Sequence, residues 1–128
     1  MSTSERMGPG AATGAVLAGE VEALDAASAL LDALGDRSRL TIVQHLLLGE
    51  HRVVELTAHL GLAQSTVSKH LACLLGCGVV GVRTQGRSSY YSLTHPDAVR
   101  ALLAAAGALL ELTDAAVVAC RAGEGEAR

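Results

Sequence analysis

The sequence contains no phenylalanine and no tryptophan, and only two tyrosines. An aromatic core is therefore excluded. Half of the residues are hydrophobic, so the core must be built from Leu, Val, Ile and Ala, a palette that favours helices. No run of 18 apolar residues occurs, which argues against a membrane span. The N-terminus, MSTSERMGPGAATGAVLAGE, lacks the basic start and continuous apolar run of a signal peptide, so a cytoplasmic chain is expected. Its Gly, Ser, Thr and Pro make residues 1–17 read as a disordered tail. There is no phosphate loop, no His-Glu-x-x-His zinc motif and no nucleophile elbow, so an enzyme is not expected. Cysteine is scarce too. Three thiols in an unexported chain suggest reduced cysteines rather than a disulfide framework.

What is present is a length of 128 residues, which suits one domain, and a net charge of −3 that is unevenly spread. Residues 1–36 carry one Arg against six acids, and residues 101–128 two Arg against four. Residues 37–100 carry seven Lys or Arg against three acids, a local excess of +4. Affinity for nucleic acid depends on the charge facing the phosphates, not on the total.

Hydrophobic periodicity predicts a first helix over 19–34, with Val21, Leu24, Ala27, Leu31 and Leu34 on one stripe and Gly35 as its stop. A second helix follows Asp36, a candidate N-cap. Leu40, Val43, Leu46 and Leu47 would face the core, and Gly49 would end the run. Helices over 53–60 and 64–76, joined by a short turn at Gly61 and Leu62, make a helix-turn-helix. The period then changes. Residues 79–83 and 88–93 read as two strands around TQGR, where Gly86 can take the positive φ of a hairpin turn. A final helix starts near Pro96 and runs to about residue 121. The expected fold is mainly α with a β-hairpin wing, in the order α-α-α-α-β-β-α. The folded domain spans 18–121, and 122–128 is a flexible tail.

The helix over 64–76 has the two faces that a DNA-reading helix needs. Val67, Leu71, Leu74 and Leu75 supply an apolar side. Gln64, Ser65, Thr66, Ser68, Lys69 and His70 supply a polar one, with groups able to bond bases or phosphates. Arg83 and Arg87, beside Gln85 and Ser88, place two cations on the hairpin. The plainer alternative is a solvated helix followed by an ordinary hairpin.

Cys73 and Cys77 are four apart on that same helix, so both thiols would share a face. Such a pair suits one soft metal ion, with Cys120 as the remaining thiolate. Equally, free cysteines often serve as small core residues. His45, His51 and His59 read as surface or interface residues rather than ligands.

The segments LGDRSRLTIVQHLL, LAQSTVSKHLACLLGCGVV and GRSSYYSL closely resemble the ArsR/SmtB family of metal-sensing repressors, over about residues 22–121. The HLACLLGCGVV setting resembles its CmtR-like, cadmium- and lead-sensing branch. The resemblance implies a homodimeric winged helix whose first and last helices form the dimer interface. Its partners would be double-stranded operator DNA, palindromic in sequence, and a second copy of itself, with no membrane. It implies Cd(II) or Pb(II) as inducer, or Zn(II), held by Cys73 and Cys77 and, by approximate position, Cys120. Two other family sites lack their residues. No Cys-x-Cys stands in RVVEL, and His95, Asp97, Glu111 and Asp114 do not supply the histidines of a last-helix site. A thiol redox sensor or an As(III) sensor on the same scaffold stays open, as does a helical adaptor that binds no DNA.

Overall fold

The computed structural model describes residues 21–127, with side chains as far as Thr113. The tail expected over 1–17 and the thiol of Cys120 lie outside the described residues. Eight elements follow one another: α1 (Val21–Leu34), α2 (Arg37–Leu46), β1 (His51–Arg52), α3 (Val53–Leu60), α4 (Gln64–Gly76), β2 (Val80–Gln85), β3 (Ser88–Leu93) and α5 (Pro96–Ala127). The chain divides into two compact units, one ending at Thr94 and one, beginning at His95, formed by α5.

Local chemistry explains most boundaries in the first unit. Asp36 caps α2, its carboxylate accepting the Arg39 amide at 3.0 Å. The helix stops at Leu46, three residues before Gly49. Glu55 reaches back to accept the Arg52 amide at 2.8 Å, which fixes the start of α3. Gly61 closes α3 in the left-handed region (φ 69), where a side chain would be strained. Gly86 (φ 65) and Arg87 form the two-residue turn between β2 and β3.

The core lies where α2, α3, α4 and the sheet meet. Ile42, Val43, Leu56, Val67, Leu71 and Leu74 are essentially inaccessible to water. Val79, Val80 and Leu93 close its edge. Ile42 replaces Leu40 and Leu47 as a core residue of α2; both of these are only half-buried. The stripe expected on α1 divides likewise. Leu34 is buried, with Ala33 beside it, and Ala27 is half-buried, whereas Val21, Leu24 and Leu31 are exposed.

The sheet differs from expectation. It has three strands in the order β1-β3-β2, all antiparallel, because His51 and Arg52 pair with Tyr91 and Tyr90. The expected order of elements therefore gains a strand between the second and third helices. Two residues are too short for a period-2 pattern to show in sequence. The β2 strand also runs from Val80 to Gln85 rather than over 79–83, its register pairing Val80 with Leu93 and Gln85 with Ser88.

In the second unit α5 extends past residue 121 to Ala127, and it is broken at Thr113 (φ −129, ψ 17). The Thr113 hydroxyl donates to the Leu109 carbonyl at 2.9 Å. Such back-bonding competes with the backbone ladder and bends helices.

Candidate functional site

Helix α4 sorts its residues by side and by end. Val67, Leu71 and Leu74 point into the core. Gln64, Ser65, Thr66, Ser68 and Lys69 are all exposed, near the helix start. No side chain caps this end, since Ala63 is the N-cap. The leading amides therefore stay available to an anion.

His70 is placed differently from its polar neighbours. It is half-buried, with Nδ1 at 3.4 Å from an Arg39 guanidinium nitrogen and 3.9 Å from an Asp36 oxygen. Arg39 in turn donates to the Ala33 and Asp32 carbonyls at the end of α1. This ties α1, α2 and α4 together at one corner. The Arg39 amide bond holds the Asp36 carboxyl below its ordinary range, and the charges of Arg39 and His70 lower it further.

The wing separates its two arginines. Arg87 sits exposed in the turn. Arg83 lies within β2 and is already engaged: Nε donates to Glu50 at 3.0 Å, a second nitrogen donates to the other Glu50 oxygen, and a third to Gln85 Oε1 at 2.7 Å. Its guanidinium also lies 4.6 Å from the Tyr90 ring centre. The two cations expected on the hairpin are thus one cation at the tip and one ion pair at its side. Glu50 precedes its partner by 33 residues and belongs to no motif.

A groove of about 270 Å³ runs between the start of α4 and the wing. Gln64, Arg52, Arg87, Ser88 and Ser89 are among its lining. Sequence reasoning missed Arg52, whose relation to the wing depends on the β1–β3 pairing. The arrangement presents a polar helix end, two arginines and two hydroxyls along one channel, which suits a phosphate backbone beside a base-reading helix.

Cys73 and Cys77 are both exposed and free. The reading of them as small core residues is thereby corrected, because the inward positions of α4 are filled by Leu71 and Leu74. Cys77 is not within the helix but is its C-cap, its amide donating to the Cys73 carbonyl at 3.2 Å. Its thiol points to the Leu74 carbonyl at 3.6 Å. The pair sits at the opposite end of α4 from Gln64.

These features define a winged helix-turn-helix of the DNA-binding kind. A model of the arsR family of bacterial regulatory proteins matches residues 36–82. The chain is 44% identical over 96 residues to the HTH-type transcriptional regulator CmtR of Mycobacterium tuberculosis, covering 74% of this chain and 81% of that one. It is 38% identical over 106 residues to a probable mercury resistance operon repressor of Streptomyces lividans, covering 81% of this chain and 84% of that one. The solved homodimeric winged helix-turn-helix DNA-binding domain of a Mycobacterium bovis protein matches with a TM-score of 0.64 at 28% identity, over 76% of this chain and 94% of that one. The chain belongs to the arsR family and is a transcriptional regulator, not an enzyme. Among the described residues, no helix is long and apolar enough to cross a membrane.

Proposed function

We propose that the protein is a homodimeric repressor that binds a palindromic operator and releases it when a soft metal ion, Cd(II) or Pb(II), or else Zn(II), binds Cys73, Cys77 and Cys120. The observation that carries this reading is the exposed thiol pair on the DNA-reading helix itself. Both cysteines are exposed and neither is spent on core packing, so the donor set fits a soft cation. Cys120 is the third thiolate by resemblance to the CmtR-like branch. Bound there, the metal supplies a crosslink and drives thiol protons off.

The chain's own residues supply the rest. Gln64, Ser65, Thr66, Ser68 and Lys69 face the groove of the DNA, with Arg87 and the amides at the start of α4 on phosphates. Arg83 and Gln85 are also exposed on the wing, but the Arg83 charge is already paired with Glu50, so its phosphate contact is weaker than that of Arg87. His70 acts from behind the helix, through Arg39 and Asp36. Any agent that shifts α4 relative to that corner changes how the polar end presents itself. A coupling of about 1–3 kcal/mol changes operator affinity about 5–150-fold.

A gel-shift assay on DNA upstream of the protein's own gene, with a panel of Cd(II), Pb(II), Zn(II), As(III) and peroxide, tests this. Release by Cd(II) or Pb(II), lost in Cys73→Ser together with the thiolate-to-metal ultraviolet band, is expected. Identical spectra in wild type and Cys73→Ser would sink the thiol site. Release by peroxide or As(III) alone would replace the inducer.

A further inference from the structure

Helix α1 meets the rest of its unit at one end. Its two buried residues, Ala33 and Leu34, are the last of its 14, while Val21, Leu24 and Leu31 are exposed along its length. Such a helix needs something to hold its angle. Fourteen residues span roughly 21 Å, so a tilt of about 10° at the buried end moves the far end by roughly 3.6 Å, about the rise of one base pair. No basic residue stands in the last turn of α1 to meet the free carbonyls there. Arg39, from α2, does so instead. Its Nε donates to the Ala33 carbonyl and a terminal nitrogen donates to that of Asp32.

The other terminal nitrogen of the same guanidinium lies 3.4 Å from His70 Nδ1 on α4. An arginine nitrogen only donates, so Nδ1 accepts. His70 lies midway along α4, among Val67, Leu71 and Leu74, which seat that helix in the core. We infer that Arg39 is a positioning residue that sets the angle between α1 and the reading helix, and through it the half-site spacing that the protein accepts in its operator. The inference rests on the homodimer reading, in which α1 carries the second copy.

Three features favour a fixed geometry over a loose tie. The guanidinium is planar and presents its donors in a rigid fork, so bonds to α1 on one side and to His70 on the other fix direction as well as distance. The link between α1 and α2 is only Gly35 and Asp36, and a Cβ on Gly35 would stand 3.1 Å from the Leu31 carbonyl oxygen, so the corner has little slack. The Asp36 carboxylate caps α2 through the Arg39 amide and stands 3.9 Å from the same His70 nitrogen, so the base of the Arg39 side chain is held as well.

In a two-fold pair joined through α1, an error in that angle is repeated in both copies and doubled at the DNA. One added base pair turns a half-site by roughly a tenth of a helical turn. A rigid corner therefore makes the dimer strict about spacing, and a loose one makes it tolerant. Each reading helix alone, with its polar end intact, still reads its own half-site.

The full chain and its Arg39→Met variant are compared on duplexes from the DNA upstream of the protein's own gene. One duplex carries a single half-site; the others carry the palindrome at its natural spacing or with one or two base pairs added or removed. Methionine keeps the aliphatic stem, and the Asp36 cap survives because it uses the backbone amide. Wild type should bind one spacing best. Arg39→Met should keep its half-site affinity, lose about 5-fold or more at the best spacing, and discriminate less between spacings. A side chain that only stabilised the fold would leave the shape of that profile unchanged. His70→Leu, which leaves the bonds to α1 in place, should flatten the profile too, and it carries the test alone if Arg39→Met does not fold. An equally sharp profile in the folded variants, or a loss on the half-site as large as on the palindrome, would overturn the inference while leaving the homodimer reading intact. A wild type that sediments as a monomer and shows no preferred spacing would overturn the homodimer reading and this inference with it.

Discussion

Asp36 shows how a single side chain can serve a helix and a site together. Its carboxylate caps α2 through the Arg39 amide and lies 3.9 Å from His70 on the DNA-reading helix. Asp36→Ala should cost about 1 kcal/mol, the usual worth of such a cap, seen as a lower urea midpoint. The folded-state pKa is depressed, so this stabilisation is complete above the ordinary carboxylate range and is lost as pH falls through the lowered value. Acid unfolding should therefore flatten in Asp36→Ala. The two wing arginines call for the opposite comparison. Arg87→Ala should reduce the slope of log affinity against log salt by about one, as for a phosphate contact. Arg83→Ala should reduce it less, because Glu50 already neutralises that guanidinium. Equal slopes in the two variants would mean that Glu50 lets go on binding. The cap was legible in sequence because capping is local, a matter of three residues. The Arg83–Glu50 pair was not, because it depends on where two distant segments are brought together.

Helix α4 works as an element with two ends and one buried side. The buried side anchors it: Leu74 is wholly inaccessible, and Leu74→Ala should cost about 2–5 kcal/mol in chemical denaturation. Unfolded protein binds no operator, so any loss of DNA affinity should track the folded fraction and vanish at temperatures where the variant is fully folded. The polar start of α4 was legible from periodicity, since 3.6-residue spacing fixes which side faces in, but the thiol end was not: spacing left Cys73 and Cys77 as ligands or core residues, and only the packing of Leu71 and Leu74 turns them outward. Strand β1 was not. Two residues show no period, and His51 and Arg52 become a strand only because β3 offers them an edge. That pairing brings Arg52 beside the wing groove and His51 beside His45 and His59. The kink of α5 escaped for a related reason. Thr113 fits a helical pattern by type, and only its hydroxyl bond to Leu109 breaks the ladder.

At the scale of the whole molecule, the charge pattern and the exposed apolar residues point the same way. The basic segment, residues 37–100, contains the reading helix and the wing, whereas the acidic flanks contain α1 and all but the first turn of α5. The acidic flanks would be poor company for phosphates, but they carry unpartnered apolar side chains. Val21, Leu24 and Leu31 are 70, 51 and 56% exposed on α1, and Leu109, Leu110 and Leu112 are exposed on α5. A shallow hollow of about 630 Å³ runs along α1 beside Leu24, Ala27 and Leu31. On α1, apolar surface of this kind, kept out of the core, is what a protein partner would cover. A second copy covering it would set two reading helices on one DNA face, and a two-fold pair would require a palindromic site. The double variant Leu24→Glu, Leu31→Glu tests this without touching the buried core. Its melting curve should stay cooperative, while sedimentation at micromolar concentration should show a monomer. Operator affinity should then fall by about 10²–10⁴-fold, since linked binding of two half-sites is lost. Affinity for a single half-site should stay near wild type, because α4 and Arg87 are untouched. A variant that still sediments as a dimer would place the interface away from α1, and equal losses on half-site and full site would mean that the substitutions damage the reading unit itself.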